Sequence, residues 1–217
     1  MSDFNIHYND VGWFLKYVTE PSEELCLQTV QLDGNALRYI KEMYQTETIA
    51  ETAVKQNGLA LQYYLKPQTH LLGLLAVSRH GIALRYVKDP THDIILTALR
   101  QNGNAISYVK NPTHEMYWIA IHQCGMALQY IEESKQTYDI CLAAVQQDGW
   151  SLQFVKKTLQ TEDLCLAAVR QNGMALTFVD KQTESICIAA VQQNKKAIHH
   201  VDQPTSRILR VLDPSFK

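Results

Sequence analysis

Thr161-Glu-Asp-Leu-Cys-Leu-Ala-Ala-Val-Arg-Gln-Asn-Gly-Met-Ala-Leu-Thr-Phe-Val179 reads as one complete structural unit, and the chain writes variants of it from end to end. Thr161 suits an N-cap, because its hydroxyl oxygen can accept from the first free amides of a helix. Glu162 and Asp163 then meet the positive end of the helix dipole. Leu164, Cys165, Ala168 and Val169 form a single apolar stripe at helical spacing. Asn172-Gly173 ends the helix, with Gly173 expected in the left-handed conformation that a Cβ disfavours. Met174 to Val179 follows as a second, shorter helix, with Ala175, Leu176 and Val179 turned inward.

The same opener, with glycine twelve residues later, recurs at Ser22 and Gly34, Thr46 and Gly58, Thr69 and Gly81, Thr91 and Gly103, Thr113 and Gly125, and Thr137 and Gly149. Thr183 keeps the spacing, but Lys195 stands where the glycine belongs, and Thr205 opens a damaged last copy. A period of 22 to 24 residues held over the whole chain signals stacked repeats. One pair of such short helices is marginal in water, so each must be stabilised by its neighbours. The fold class expected is all-α: an α-solenoid, a superhelical array of about nine short helix-turn-helix repeats. It is expected to fill residues 1–217 as a single domain. Residues 1–21 form an N-terminal cap with a degenerate helix from Phe4 to Val11, 22–204 hold the repeats, and 205–217 form a C-terminal capping helix.

Hydrophobic residues make up 46% of the 217, ample for a continuous core. A net charge of −2 argues against general attraction to nucleic acid or to acidic membranes. No apolar run approaches the ~18 residues of a membrane span, and the polar start Met1-Ser-Asp-Phe-Asn has no signal-peptide pattern. The expectation is a cytoplasmic protein with no membrane partner. Cys26, Cys141, Cys165 and Cys187 each lie four residues after an opener. Neighbouring helices pack roughly 8–10 Å apart, whereas a disulfide needs Cα atoms about 5.5 Å apart and zinc needs sulfurs about 2.3 Å from one ion. The cysteines therefore read as packing thiols, and neither metal nor cofactor is expected.

The segment Ala-Ala-Val-x-x-Asn-Gly-x-Ala-Leu-x-Phe from Ala167 to Phe178, with its copies along nearly the whole chain, resembles the repeats of domain of unknown function 4116. Lys195, Ser151 in place of alanine and His200 in place of the aromatic depart from the pattern. The resemblance implies a helical repeat fold used for interaction, including the role of a pathogen effector delivered to a host cell without a cleaved signal peptide. It carries over no catalytic residues.

Constant positions of a repeat build its scaffold, and variable ones are free to recognise a partner. The glutamine ten residues after the opener (Gln56, Gln101, Gln147, Gln171 and others) reads as an inter-repeat hydrogen bond. The aromatic ladder from Tyr17 and Tyr39 to Phe154 and Phe178 reads as core. Candidate partner-binding residues are the opener-linked histidines His70, His92 and His114, and the apolar substitutions Leu71, Leu75, Tyr117, Trp118 and Ile119. Trp13, Met126, Trp150 and Met174 join them from the variable site after each glycine, with the tryptophans as anchors. Every glycine belongs to the repeat framework, so no phosphate loop is left, and no catalytic arrangement can be inferred. The leading expectation is a non-enzymatic protein–protein interaction solenoid binding a protein partner along its repeat surface as adaptor, inhibitor or effector. The chain is not expected to be an enzyme. Self-association is an alternative occupancy of the same surface. Nucleic-acid binding is the second reading, because Lys16, Arg38 and Arg85 share one position of the second helix; an enzyme is the third.

Overall fold

The structure, a computed structural model, describes residues 11–213 and 215. The chain divides into two compact units, Met1–Val109 and Lys110–Lys217. In the first, α1 (Glu23–Leu32), α2 (Glu47–Gln56), α3 (His70–Arg79) and α4 (His92–Gln101) pack each on the next. The second stacks α5 (His114–Gln123), α6 (Tyr138–Gln147), α7 (Glu162–Gln171), α8 (Glu184–Gln193) and α9 (Ser206–Leu212) in the same way. A short helix after each α-helix from α1 to α8 forms a second layer against the α-helices of its unit. The fold class is an all-α repeat solenoid, and no strand occurs among the described residues. The predicted helix from Phe4 falls mostly outside them, as does the end of the predicted capping helix.

The openers cap as their chemistry dictates. The hydroxyls of Ser22, Thr46, Thr69, Thr113, Thr137, Thr161, Thr183 and Thr205 accept from the amide three residues on. Thr91 does not; its hydroxyl donates to Asp93 instead. Three threonines also donate backward, Thr46 to Glu23, Thr183 to Glu162 and Thr205 to Glu184, so one hydroxyl both starts a helix and ties it to the preceding one.

The second helix is a 3-10 helix, as in Gly173–Phe178, where Val179 N–H donates to the Leu176 carbonyl. With three residues per turn, positions three apart share a face. Gly173, Leu176 and Val179 accordingly all point into the core, while Met174 and Thr177 point out. The preceding asparagine is extended rather than helical (φ −148°, ψ 108° at Asn172), and its side chain accepts from Met174 N–H to start the 3-10 turn. Where links are longer, the extra residues form short 3-10 turns, Glu42–Tyr44, Glu133–Lys135 and Lys157–Leu159.

The glycines are needed for a reason other than the left-handed conformation expected of them. Gly12 is the one described glycine with positive φ, at 91°. Elsewhere the constraint is the next helix. A Cβ on Gly149 would sit 2.6 Å from the carbonyl oxygen of Ala168, and one on Gly34 would sit 2.3 Å from that of Ala53. The glycine N–H then donates to the next repeat's glutamine: Gly34 to Gln56 at 2.8 Å, Gly125 to Gln147 at 2.7 Å, and Gly149 to Gln171 at 2.7 Å. Where Arg79 replaces that glutamine, His80 Nδ1 accepts from Gly58 and Arg79 Nε donates to the Lys55 carbonyl, so two side chains divide the task. Lys195, which replaces the glycine before the last 3-10 helix, is exposed, whereas the described glycines at this site are buried.

A second glutamine clamp precedes the openers and was not anticipated. Gln136 Nε2 donates to the Phe154 carbonyl at 2.8 Å while its Oε1 accepts from Lys156 N–H at 2.9 Å. Gln45, Gln68 and Gln182 make the same pair of bonds to the following repeat. Pro90, Pro112 and Pro204 occupy this site in other links and cannot.

Two substitutions test this packing. Ser151 is fully buried where other repeats have alanine, and its hydroxyl has no hydrogen-bond partner. Ser151→Ala should stabilise the protein by about 1–2 kcal/mol, since an unpaired buried hydroxyl is removed. Gly149→Ala should destabilise by about 2–3 kcal/mol, because the carbonyl clash outweighs the entropy that alanine removes from the unfolded chain. Urea denaturation of both variants checks the two signs.

Candidate binding surface

The threefold period of the 3-10 helices decides what reaches solvent. The residue after each glycine (Trp13, Asn35, Leu59, Ile82, Met126, Trp150, Met174) and the one three later (Lys16, Arg38, Gln62, Arg85, Gln129, Gln153, Thr177) form outward rows. The aromatic ladder runs beside them. It was expected in the core, yet only Tyr39 is buried among its members; Tyr63, Tyr86, Phe154 and Phe178 are half-buried, and Tyr17, Tyr108 and Tyr130 are exposed. The aromatic shares its 3-10 face with the small alanine three residues earlier, so it covers the seam between repeats and stays half in water.

In the first unit the ladder carries charge between its rungs. Lys16 Nζ lies 4.6 Å from the Tyr39 ring centre, and Arg38 lies 4.7 Å from Tyr39 and 5.9 Å from Tyr63. Arg85 lies 5.1 Å from Tyr86 and 5.5 Å from Tyr108. The ring quadrupole favours each of these placements. In the second unit Gln129, Gln153, Thr177 and His199 hold the corresponding sites, and Trp150 packs edge-on against Phe178 at 5.4 Å. No aspartate or glutamate enters these three rows anywhere between Trp13 and His200. Many acids lie at the starts of the α-helices, where the dipole favours them and threonine hydroxyls bond to Glu23 and Glu162, while Asp33 and Asp148 cap 3-10 helices beside the rows.

Trp13 is 46% exposed and meets Tyr17 edge-on at 5.9 Å. Trp150 is exposed, while Met126 and Met174 are half-buried in the same row of the second unit. The other candidates lie on the α-helices. Leu71 is 62% exposed, but Leu75 is half-buried against the core of the first unit. Tyr117 was expected to face outward and is instead a core residue, 8% exposed, at the position that cysteine fills in α6 to α8; burial pushes its hydroxyl pKa up, with Glu132 adding to the effect. Trp118 and Ile119 are half-buried on α5, with His114 and His122 beside the indole.

His70, His92 and His114 are all exposed at the starts of α3, α4 and α5. His70 bonds to the next helix, its Nε2 3.0 Å from Asp93 and its Nδ1 3.3 Å from the Thr91 hydroxyl. That arrangement, the Thr91 hydroxyl first and His70 after it, holds the Asp93 carboxyl below its usual pKa. His92 also has a partner, and His114 is exposed. Among the described residues no group of histidine, cysteine and carboxylate side chains could hold a metal ion. The α-layer of the second unit has an open groove of about 650 Å³, floored by Leu166, Ile188 and Ala189 and edged by Arg170 and Arg207. No helix among the described residues is long and apolar enough to cross a membrane.

Fold and surface together define an all-α repeat protein with a continuous outer row of variable side chains in each unit. The chain belongs to the family described as Domain of unknown function (DUF4116), which matches residues 22–66, 114–160 and 161–204. No curated protein and no solved structure matches the chain.

The five cysteines are free. Burial pushes Cys141 and Cys165 up to about 11, with Glu162 adding to the effect at Cys165, and raises Cys26 and Cys187 as well. These thiols stay protonated at pH 8, where a thiolate is the reactive form. Cys124 is the one cysteine that is not buried. Brief alkylation at pH 8 should therefore modify Cys124 first, as read by peptide mass spectrometry. Equal labelling of Cys141 and Cys165 would contradict their burial.

Proposed function

We propose that this chain is a non-enzymatic protein-binding solenoid whose 3-10 layer is the recognition surface. One observation carries the reading: three adjacent rows offer aromatic, amide, apolar and basic side chains to solvent without a single carboxylate. Tyrosine, tryptophan and arginine are the residues that protein interfaces favour, whereas aspartate, glutamate and lysine are depleted there. Outward positions vary from repeat to repeat while the scaffold beneath them stays constant, as a surface tuned to a particular partner requires. A location in the cytoplasm, of the producing cell or of a host, accords with the free, buried cysteines.

Affinity capture from a nuclease-treated lysate tests this reading with three baits of confirmed helicity: the intact chain, a Tyr130→Ala/Trp150→Ala variant, and a Leu71→Ser/Trp118→Ser variant. The expected outcome is a discrete set of proteins depleted about tenfold by the first variant and retained by the second. Depletion by the α-layer variant alone would place recognition on the other layer. Recovery of nucleic acid from untreated lysate, with no protein after nuclease, would replace the protein-binding reading altogether.

A further inference from the structure

Three neighbouring 3-10 helices of the second unit contain no charged residue: Gly125-Met-Ala-Leu-Gln-Tyr130, Gly149-Trp-Ser-Leu-Gln-Phe154 and Gly173-Met-Ala-Leu-Thr-Phe178. Charges flank them. Asp148 caps the middle helix with its carboxylate on the Trp150 amide at 3.0 Å, and Asp180, in the link after the third, pairs with Lys157 at 2.8 Å. Glu132 and Lys156 lie in the other two links, and the next 3-10 helix, Lys195–His200, ends the uncharged tract with Lys196 and His199.

Rings and hydrogen-bond donors are left open on this tract. In the first unit Lys16 stands over Tyr39, and Arg85 over Tyr86 and Tyr108. Among the described residues no cation stands over Tyr130, Trp150, Phe154 or Phe178. Tyr130 is 44% exposed and Trp150 39%, and neither the phenol hydroxyl nor the indole N–H has a hydrogen-bond partner among the described residues. Gln129 and Gln153 each donate an amide N–H to their own helix, to the carbonyls of Met126 at 3.1 Å and Trp150 at 3.0 Å. Two backbone acceptors are thereby taken off the surface, so the tract is rich in donors and rings.

We infer that the 3-10 face from Gly125 to Phe178 docks an uncharged, proline-rich segment in polyproline II conformation, its carbonyls accepting from Trp150 and Tyr130. This rests on the protein-binding reading above and names the partner's chemistry. Complementarity of charge and hydrogen bonding selects the occupant. A polyproline II segment has no internal hydrogen bonds and proline has no N–H, so its carbonyls are open acceptors with few donors beside them. Its rings suit an aromatic surface, and its preformed shape loses little entropy on docking. The period fits too: three residues per turn give about 9 Å per turn, against roughly 8–10 Å between helices of successive repeats. Residues i, i+3 and i+6 of the segment therefore meet the three helices in the same way. An acidic or basic segment finds no counter-charge within these helices, and single-stranded nucleic acid needs a basic track that they lack.

Fluorescence anisotropy of the full chain with labelled decaproline tests the inference, beside a labelled glycine–serine peptide and an oligouridylate of the same length. The intact chain should bind decaproline at least about fivefold more tightly than either control, with little change on added salt. Two variants use residues that the repeat already accepts at the same sites: Trp150→Asn, as at Asn35 and Asn104, and Tyr130→Phe, as at Phe154 and Phe178. Each, checked by circular dichroism, should weaken decaproline binding about threefold or more, while Lys16→Gln/Arg85→Gln should leave it unchanged. The inference is overturned if decaproline binds no better than the glycine–serine peptide, if either tract variant binds it unchanged, or if the oligouridylate binds more tightly. A concentration-dependent dimer abolished by Trp150→Asn, with no decaproline binding, would assign the face to a second copy of the chain and overturn it equally. Protein capture that Tyr130→Ala/Trp150→Ala still depletes in any of those cases leaves the protein-binding reading standing and removes only the proline-rich segment.

Discussion

Within each unit, glycines such as Gly34 and Gly149 bring their backbone against the carbonyl of an alanine in the next α-helix, closer than a side chain permits, and donate their N–H to that helix's glutamine. The rest of the stack depends on this approach. It sets the separation of neighbouring repeats within a unit, and it lets the 3-10 helices lie against one another in a layer of their own. The glutamine matters because a glycine amide buried at a seam has no water to turn to, and an unpaired buried donor costs more than a hydrogen bond contributes. The exceptions follow the same physics. At Arg79-His80 the acceptor for the glycine amide and the donor to the preceding repeat's carbonyl come from two neighbouring side chains, and Lys195, in place of a glycine, is exposed.

Close stacking also explains where the surface chemistry lies. A 3-10 helix has three faces, one spent on the core and one on the seam, leaving one for solvent. The α-helices commit their acids to helix starts, where threonine hydroxyls of the following repeat reach them. The three outward rows of the 3-10 layer hold bases, amides, aromatics and apolar residues, and no carboxylate. The aromatic at the seam closes the joint and at the same time presents half a ring to solvent, so stability and recognition draw on one side chain.

Much of the scaffold was legible in the chain. The openers, the inward stripe of Leu164, Cys165, Ala168 and Val169, and the inter-repeat glutamine all stand where their spacing and chemistry place them. Tyr117 was misread because its neighbours Trp118 and Ile119 are apolar and half-exposed, although its own position is the buried cysteine site. That signal was present in the alignment of the repeats with one another. The glutamine before the opener was equally visible as a recurring letter, yet its reach to the next repeat depends on the path of the link. His70 could not be placed from sequence, since its partners Thr91 and Asp93 belong to another helix.

The sequence by itself determined the period, the helix starts, the inward stripe of the first helix and the family, because each of these is set within one repeat and written many times. Tertiary structure decided the rest: why the glycines are needed, which face of the second helix meets solvent, and which cations stand over which rings. Those outcomes turn on the separation of adjacent repeats and on three residues per turn in place of 3.6. A separation between backbones is a property of the stack and is carried by no single repeat.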